Sequence, residues 1–393
     1  MSRRDVIVLG AGAAGTAAAW HLARSGCHVR VVHAAAGATA LWNGIVDGLP
    51  GTPSPAESEL LSLLGICAPR SPAKLLNIFG LFREADAHDE ALLDLARARP
   101  ALVLVPTLPR AAWDGEALAA GLRAHAGSGF DAQTIAIPDL LLPGELAWPD
   151  GAIACALDDD GRRAAFESSL TEKLAPWKNT ATALLLPPWL GVSKPYAKPL
   201  EKALGVGVGE VASGLAAAAG LRFVHRRDAL FAHLGVEVHR SRCEAIDLDG
   251  ESVRLTLKSG ELVTGTHLLV AFGGFVSGAL QVPRHPAISL VPAFQRSVPS
   301  LTLRADFLRV GARGKELAIN GSTYGTTPED LAHTLAGPAL LDALGVLAAD
   351  DGSPYGSPLP FVRIAGDALA DAPRTFGHAL RGGIRAAQKL LNA

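Results

Sequence analysis

Two kinds of apolar pattern alternate along the chain. Residues 5–9, DVIVL, form an almost unbroken apolar run, which predicts a strand covered on both faces of a parallel sheet. Residues 15–25 are small and apolar, as in a helix packed closely on a sheet; Gly26 ends it, and 29–32, VRVV, return as a second strand. Between 51 and about 235 the pattern predicts strands at 101–106 (ALVLVP), 132–138 (AQTIAIP) and 182–188 (TALLLPP), with helical stretches near 114–126 and 162–174. From Gly235 onward, β-runs with turn signals at LDGE and KSGE predict a meander that feeds a last apolar strand at 268–272. Residues 283–330 are Pro-rich and β-like, with SLTLRADFLRV as the clearest strand. The end reads as a strand at 361–365, a Gly-Asp turn, a loop and a helix from about Gly382.

Composition narrows the class. With 393 residues, 49% of them hydrophobic, the chain can bury two or three domain cores, and 42 Gly with 26 Pro imply many short elements. A net charge of −2 and the lack of a basic run interleaved with aromatics argue against nucleic acid and point to a small-molecule partner. Cys27, Cys67, Cys155 and Cys243 are widely spaced with no C-x-x-C pair, so neither an iron–sulfur nor a zinc site is expected, and no metal; a reduced cytoplasm suits them. Asp5 and the glycines that follow interrupt any signal-peptide core, and the uncharged runs 179–193 and 268–283 are broken by Pro or Gly pairs, so a soluble chain is expected.

Gly10, Gly12 and Gly15 form G-x-G-x-x-G between the first predicted strand and helix. In that context the first glycine makes the tight turn, the second lets a pyrophosphate approach the backbone, and the third lets helix and strand pack closely. An acid normally ends the second strand and accepts the ribose hydroxyls; here that place is His33, whose neutral imidazole offers one acceptor. Three readings stay open: FAD with the acid replaced, FMN, or an emptied site.

HLLVAFGGF, with Gly273, and VRIAGD, with Gly366 and Asp367, resemble the second and third nucleotide-contact segments of two-dinucleotide-fold flavoproteins. In that class the acid of the Gly-Asp turn lies near the ribityl or pyrophosphate region, although Asp367 also reads as a plain turn residue. Gly382 and Gly383 are expected to open the last helix and turn free N–H groups toward a flavin. Asn43 and Gly44, in ATALWNGIVDG, are candidates for close approach to a flavin ring. His378 and Arg381 are the candidate base and anion clamp, with structural roles as the competing account. Arg296 and Arg304 could hold a phosphate, and GVGVGEVASG, 205–214, reads as a Gly-rich approach to a helix.

The expected fold is thus α/β, with a doubly wound Rossmann-like FAD/NAD(P)-binding domain built from 1–50, 235–282 and 331–393. An α/β insertion at 51–234 and a smaller β-rich substrate-side segment at 283–330 would complete it. In order along the chain, VIVLGAGAAG, ALWNGIVDGLP, LPPWLGV, GVEV, FGGFVSGAL, YGTTPE and the Gly-rich C-terminus resemble the B-type flavoprotein of anaerobic glycerol-3-phosphate dehydrogenase, a relative of the fumarate reductase flavoproteins. His33 fits this family better than it fits generic FAD enzymes, whereas AGD at 365–367 departs from it. The resemblance implies oxidation of glycerol 3-phosphate to dihydroxyacetone phosphate in anaerobic respiration, with bound FAD, or alternatively FMN, as electron acceptor. It also implies a second flavoprotein subunit and an iron–sulfur subunit docked at the inner membrane, so that a cytoplasmic chain would be peripheral there through its partner. A stand-alone FAD oxidoreductase of another small substrate and a non-catalytic flavin-binding assembly subunit remain the alternatives.

Overall fold

The structure is a computed structural model, and it describes residues 4–34, 37–98, 101–125, 131–180, 182–214, 218–250, 252–274, 276–281, 300–312, 315–319, 343–356 and 359–393. Fifteen elements carry the argument below. They are β1 (Asp5–Leu9), α1 (Ala13–Arg24), β2 (His28–Val32), β3 (Leu102–Thr107), β4 (Asp131–Ala136), β5 (Ala183–Leu186), β6 (Gly207–Glu210) and α2 (Ala218–Leu234). They continue with β7 (Glu237–His239), β8 (Cys243–Asp249), β9 (Ser252–Leu257), β10 (Leu262–Gly265), β11 (His267–Val270), β12 (Val362–Ile364) and α3 (Phe376–Leu391).

The chain forms two compact units, 1–39 with 227–393 and 40–226. In the first, β7-β2-β1-β11-β12 make a parallel sheet, in which Val8 faces Val31 on one side and Leu269 on the other. Alternation along each strand serves two cores. Val6, Val8, Val31 and Leu269 pack with the alanines of α1 and with α3, whereas Ile7, Leu9, Leu268 and Val270 pack with the antiparallel β8-β9-β10 meander and with residues 301–312. Both faces are covered, so the centres of β1 and β11 are apolar on either side, as the apolar runs predict.

The second unit has its own four-stranded parallel sheet, ordered β6-β5-β3-β4. Leu102, Leu104, Leu184 and Leu186 enter one core, while Val103, Val105, Ala183 and Leu185 enter another, so this unit is also an α/β layer structure. All three strands predicted here are in that sheet. Residues 207–210 correct the expected helix approach: they are its edge strand, and glycine is needed because a Cβ at Gly209 would lie 2.6 Å from the Leu93 amide nitrogen.

The unit boundaries differ from the three segments expected from the sequence. Residues 40–50 belong to the second unit, because Ile45–Val46 pairs with Ala87–Asp89. Residues 301–312 belong to the first, because Leu301, Leu303, Leu308 and Val310 share the core of Ile7 and Leu9. Most of 313–342, with YGTTPE, and the segment holding Arg296 lie outside the described residues.

Candidate functional site

A cavity of about 290 Å³ opens at the carboxyl ends of the first unit's strands, lined among others by Gly10, Gly12, His33, Gly273 and Asp367. Each fingerprint glycine has a separate reason. Gly10 has φ +115, and a Cβ there would lie 2.1 Å from the Ala271 carbonyl oxygen of the neighbouring strand end. At Gly15 a Cβ would lie 1.9 Å from the Gly10 carbonyl oxygen, so α1 can start this close to β1 only without a side chain. Gly12, the N-cap of α1 with ordinary φ −75, would meet only the Thr39 hydroxyl, at 3.1 Å. Two glycines therefore build the turn and the middle one keeps its mouth open, with the N-terminus of α1 and its dipole aimed there.

Side chains from distant stretches hold this turn. The Ala13 amide donates to Thr39 Oγ1 at 3.1 Å. Buried Arg227 donates from Nη1 to the Ala11 carbonyl at 3.0 Å, and its Nε and Nη2 are held by Asp228 Oδ1. Sequence reasoning missed both: no local motif marks Thr39, and Arg227 lies more than two hundred residues along the chain from the turn it holds.

Asp367 follows β12 in a short 3-10 turn whose Gly366 has φ +68, and its backbone carbonyl accepts from Arg374 Nη1 at 2.9 Å. Its Oδ1 is buried and has no hydrogen-bond partner among the described residues. Burial pushes its carboxyl above the usual aspartate range, and Arg374 pulls the other way without cancelling it. Asp367 is the sole acid among the described lining residues. Cys243 also lines the cavity, but burial pushes its thiol up to about 12, so it is no nucleophile at neutral pH.

The remaining predicted residues are placed as follows. Gly382 and Gly383 do not open a helix: α3 begins at Phe376, capped by the Thr375 hydroxyl, which accepts from the His378 amide at 3.3 Å. The glycine pair is interior to α3, and a Cβ at Gly383 would lie 2.1 Å from the Ala14 carbonyl oxygen, so Gly383 lets α3 pack on α1. Ala379 lines the cavity, whereas His378 and Arg381 do not; His378 Nδ1 is 3.2 Å from Thr375 Oγ1. Asn43 and Gly44 belong to the second unit. There Asn43 Oδ1 accepts from the Ile45 amide at 3.0 Å, and Gly44, φ +92, packs under Leu92. Arg304 pairs with exposed Asp247 at 2.8 Å.

The residues present fit a flavin dinucleotide. The glycine turn at a helix N-terminus offers N–H groups to a pyrophosphate, and the buried Asp367 oxygen needs a donor of the kind a ribityl hydroxyl supplies. Among the described residues no cluster of His, Cys, Asp or Glu could hold a metal ion, and no helix is long and apolar enough to cross a membrane.

A family model described as glucose inhibited division protein A matches residues 5–51, which spans β1, α1, β2 and the segment after them. No curated protein sequence matches the chain. Among solved structures, 3-ketosteroid Δ1-dehydrogenase from Sterolibacterium denitrificans is similar over 100% of both chains, at 12% identity and a TM-score of 0.39. The GidA-related protein from Thermus thermophilus is similar over 100% of this chain and 99% of its own, at 11% identity and a TM-score of 0.35. Iminodiacetate oxidase from Chelativorans sp. BNC1 is similar over 98% of this chain and 95% of its own, at 13% identity and a TM-score of 0.34.

Proposed function

We propose that the first unit binds FAD and that the chain is a flavin-dependent oxidoreductase. The observation that carries this reading is the meeting, in one cavity, of an open glycine turn at a helix N-terminus and a buried carboxylate oxygen that has no partner among the described residues. Gly12 admits the pyrophosphate, the N-terminus of α1 supplies N–H groups and a positive dipole end, Arg227 holds the turn through Ala11, and Asp367 accepts a ribityl hydroxyl. A bound flavin supplies the capacity to accept two electrons from an organic substrate. The match to the glucose inhibited division protein A model supports the βαβ part of this reading.

The finer assignment rests on the ordered segments described for the sequence. By that resemblance the substrate is glycerol 3-phosphate, and electrons leave through a second flavoprotein and an iron–sulfur subunit docked at the membrane, since this chain has no cluster-ligand spacing. One observation favours a second reading, a flavin-binding subunit without turnover of its own: neither His378 nor Arg381 lines the cavity.

The experiment is to purify the chain, record its absorption spectrum and identify the released cofactor by mass. A colourless protein that takes up neither FAD nor FMN sinks the proposal. Bound flavin bleached anaerobically by glycerol 3-phosphate, with partner subunits present, supports the dehydrogenase; bound flavin that resists bleaching supports the second reading.

A further inference from the structure

The end of β2 lacks the acid that usually reads an adenosine ribose, and the geometry beside it shows what stands in that place. β7 runs parallel to β2, with His239 opposite Val32, and the His33 amide donates to the His239 carbonyl at 3.0 Å. The carboxyl ends of these strands are therefore side by side, and the residues that follow each, His33 and Ala34 from one and Ser241 and Arg242 from the other, line the same cavity. Arg242 Nη2 donates to the Thr302 carbonyl at 3.3 Å, in an exposed contact, so its guanidinium reaches from the end of β7 to a second lining residue.

The charges around it leave this guanidinium available. Glu237 is engaged by Arg30 at 3.2 Å, Glu261 lies 2.9 Å from His239 Nδ1, and Asp228 is engaged by Arg227 and Arg240. Among the described residues Arg242 makes no ion pair, and Asp367 is the sole acid in the lining. A carboxylate in this region would accept from ribose hydroxyls; a guanidinium can only donate, which suits phosphate oxygens, and its plane suits the face of an adenine.

We propose that Arg242 is the specificity-determining residue for the adenosine 5′-phosphate half of the ligand, the group that makes the cavity favour FAD over FMN. The inference rests on the flavin reading of the cavity. FAD is held at this end by a donor rather than by the usual acceptor, which accounts for a nucleotide site that tolerates His33.

The test measures dissociation constants of FAD, FMN and adenosine 5′-diphosphate for the full-length apoprotein, its Arg242→Ala variant and its Arg242→Lys variant, by flavin fluorescence quenching and calorimetry. Loss of a charge-assisted contact should weaken FAD and the diphosphate on the order of tenfold or more in Arg242→Ala and leave FMN within about twofold. Arg242→Lys should recover little, because an ammonium lacks the planar fork. Equal weakening of FAD and FMN, or no weakening of either, overturns the proposal. If the wild-type chain binds neither flavin, the flavin reading falls by itself, and the diphosphate then decides on Arg242: the same Arg242-dependent loss supports it, and unchanged binding overturns it.

Discussion

Single residues separate folding from binding at this site. A side chain at Gly15 would collide with the Gly10 carbonyl, 1.9 Å away, so Gly15→Val should not give a folded chain. Gly12 has an ordinary φ and, among the described residues, only the Thr39 hydroxyl close by, so Gly12→Val should fold and lose at most the Ala13–Thr39 hydrogen bond, about 1 kcal/mol. Its side chain would fill the approach to the helix N-terminus, and the flavin dissociation constant should rise on the order of a hundredfold, as read by fluorescence titration. Unchanged flavin affinity in a folded Gly12→Val would make the fingerprint a structural turn only. Asp367 gives the pH counterpart. Its carboxyl is raised by burial, so the folded apoprotein holds that proton more tightly than the unfolded chain does. The resulting stability is complete below the ordinary aspartate value of about 3.9 and is lost as pH rises through the elevated folded value. Asp367→Asn should therefore raise the apoprotein Tm at pH 7 and flatten its decline above about pH 4, while weakening flavin binding roughly tenfold. A variant with a lower Tm at pH 7 and intact flavin binding would contradict both halves.

At the scale of elements, the second unit is pinned by charges inside its core. Arg222 of α2, 1% exposed, donates from Nε to Asp89 Oδ2 at 3.1 Å and from Nη2 to Glu210 Oε2 of β6 at 2.5 Å. It also reaches the Gly191 carbonyl at 2.8 Å, while the Leu190 amide donates to Glu210. Burial pushes the Glu210 carboxyl up, with Arg222 opposing. Arg222→Met would leave two buried carboxylates facing each other, so it should cost about 3–5 kcal/mol in urea unfolding, and less at pH 5 than at pH 8 as Glu210 takes up a proton. An equal loss at both pH values would count against this account. None of the triad was legible in the sequence, since its members lie on three separate elements of the second unit. The elements themselves were partly legible. The runs at 5–9, 101–106 and 182–188 were readable because strands buried on both faces leave little room for polar residues. Two helix and strand assignments failed for one reason: at Gly209 and Gly383 the glycine serves close packing of neighbouring backbone, and a local pattern reads it as punctuation.

In the whole molecule the candidate site is assembled within one unit from stretches far apart in the chain. The fingerprint was legible because turn, mouth and close packing fall within six consecutive positions, and Asp367 was legible because a Gly-Asp turn closes the last parallel strand. Thr39, Arg227 and Arg242 were not, because what makes them matter is the tertiary arrangement around the strand order β7-β2-β1-β11-β12, which places 33 beside 239 and 11 beside 227. That assembly predicts how a ligand acts on the fold. A flavin bound across the cavity must stabilise all its walls together, by about 2.7 kcal/mol at a free concentration roughly a hundredfold above Kd. Amide hydrogen exchange with saturating FAD should then slow jointly at 9–14, 32–34, 241–243, 271–273 and 365–367, whose residues wall the cavity or lead into it. FMN should protect 9–14 and 365–367 and leave 241–243 close to the apoprotein, because it has no adenosine half. Protection confined to the fingerprint, with 365–367 unaffected by either flavin, would mean that Asp367 holds no part of the ligand and that the cavity is not one site.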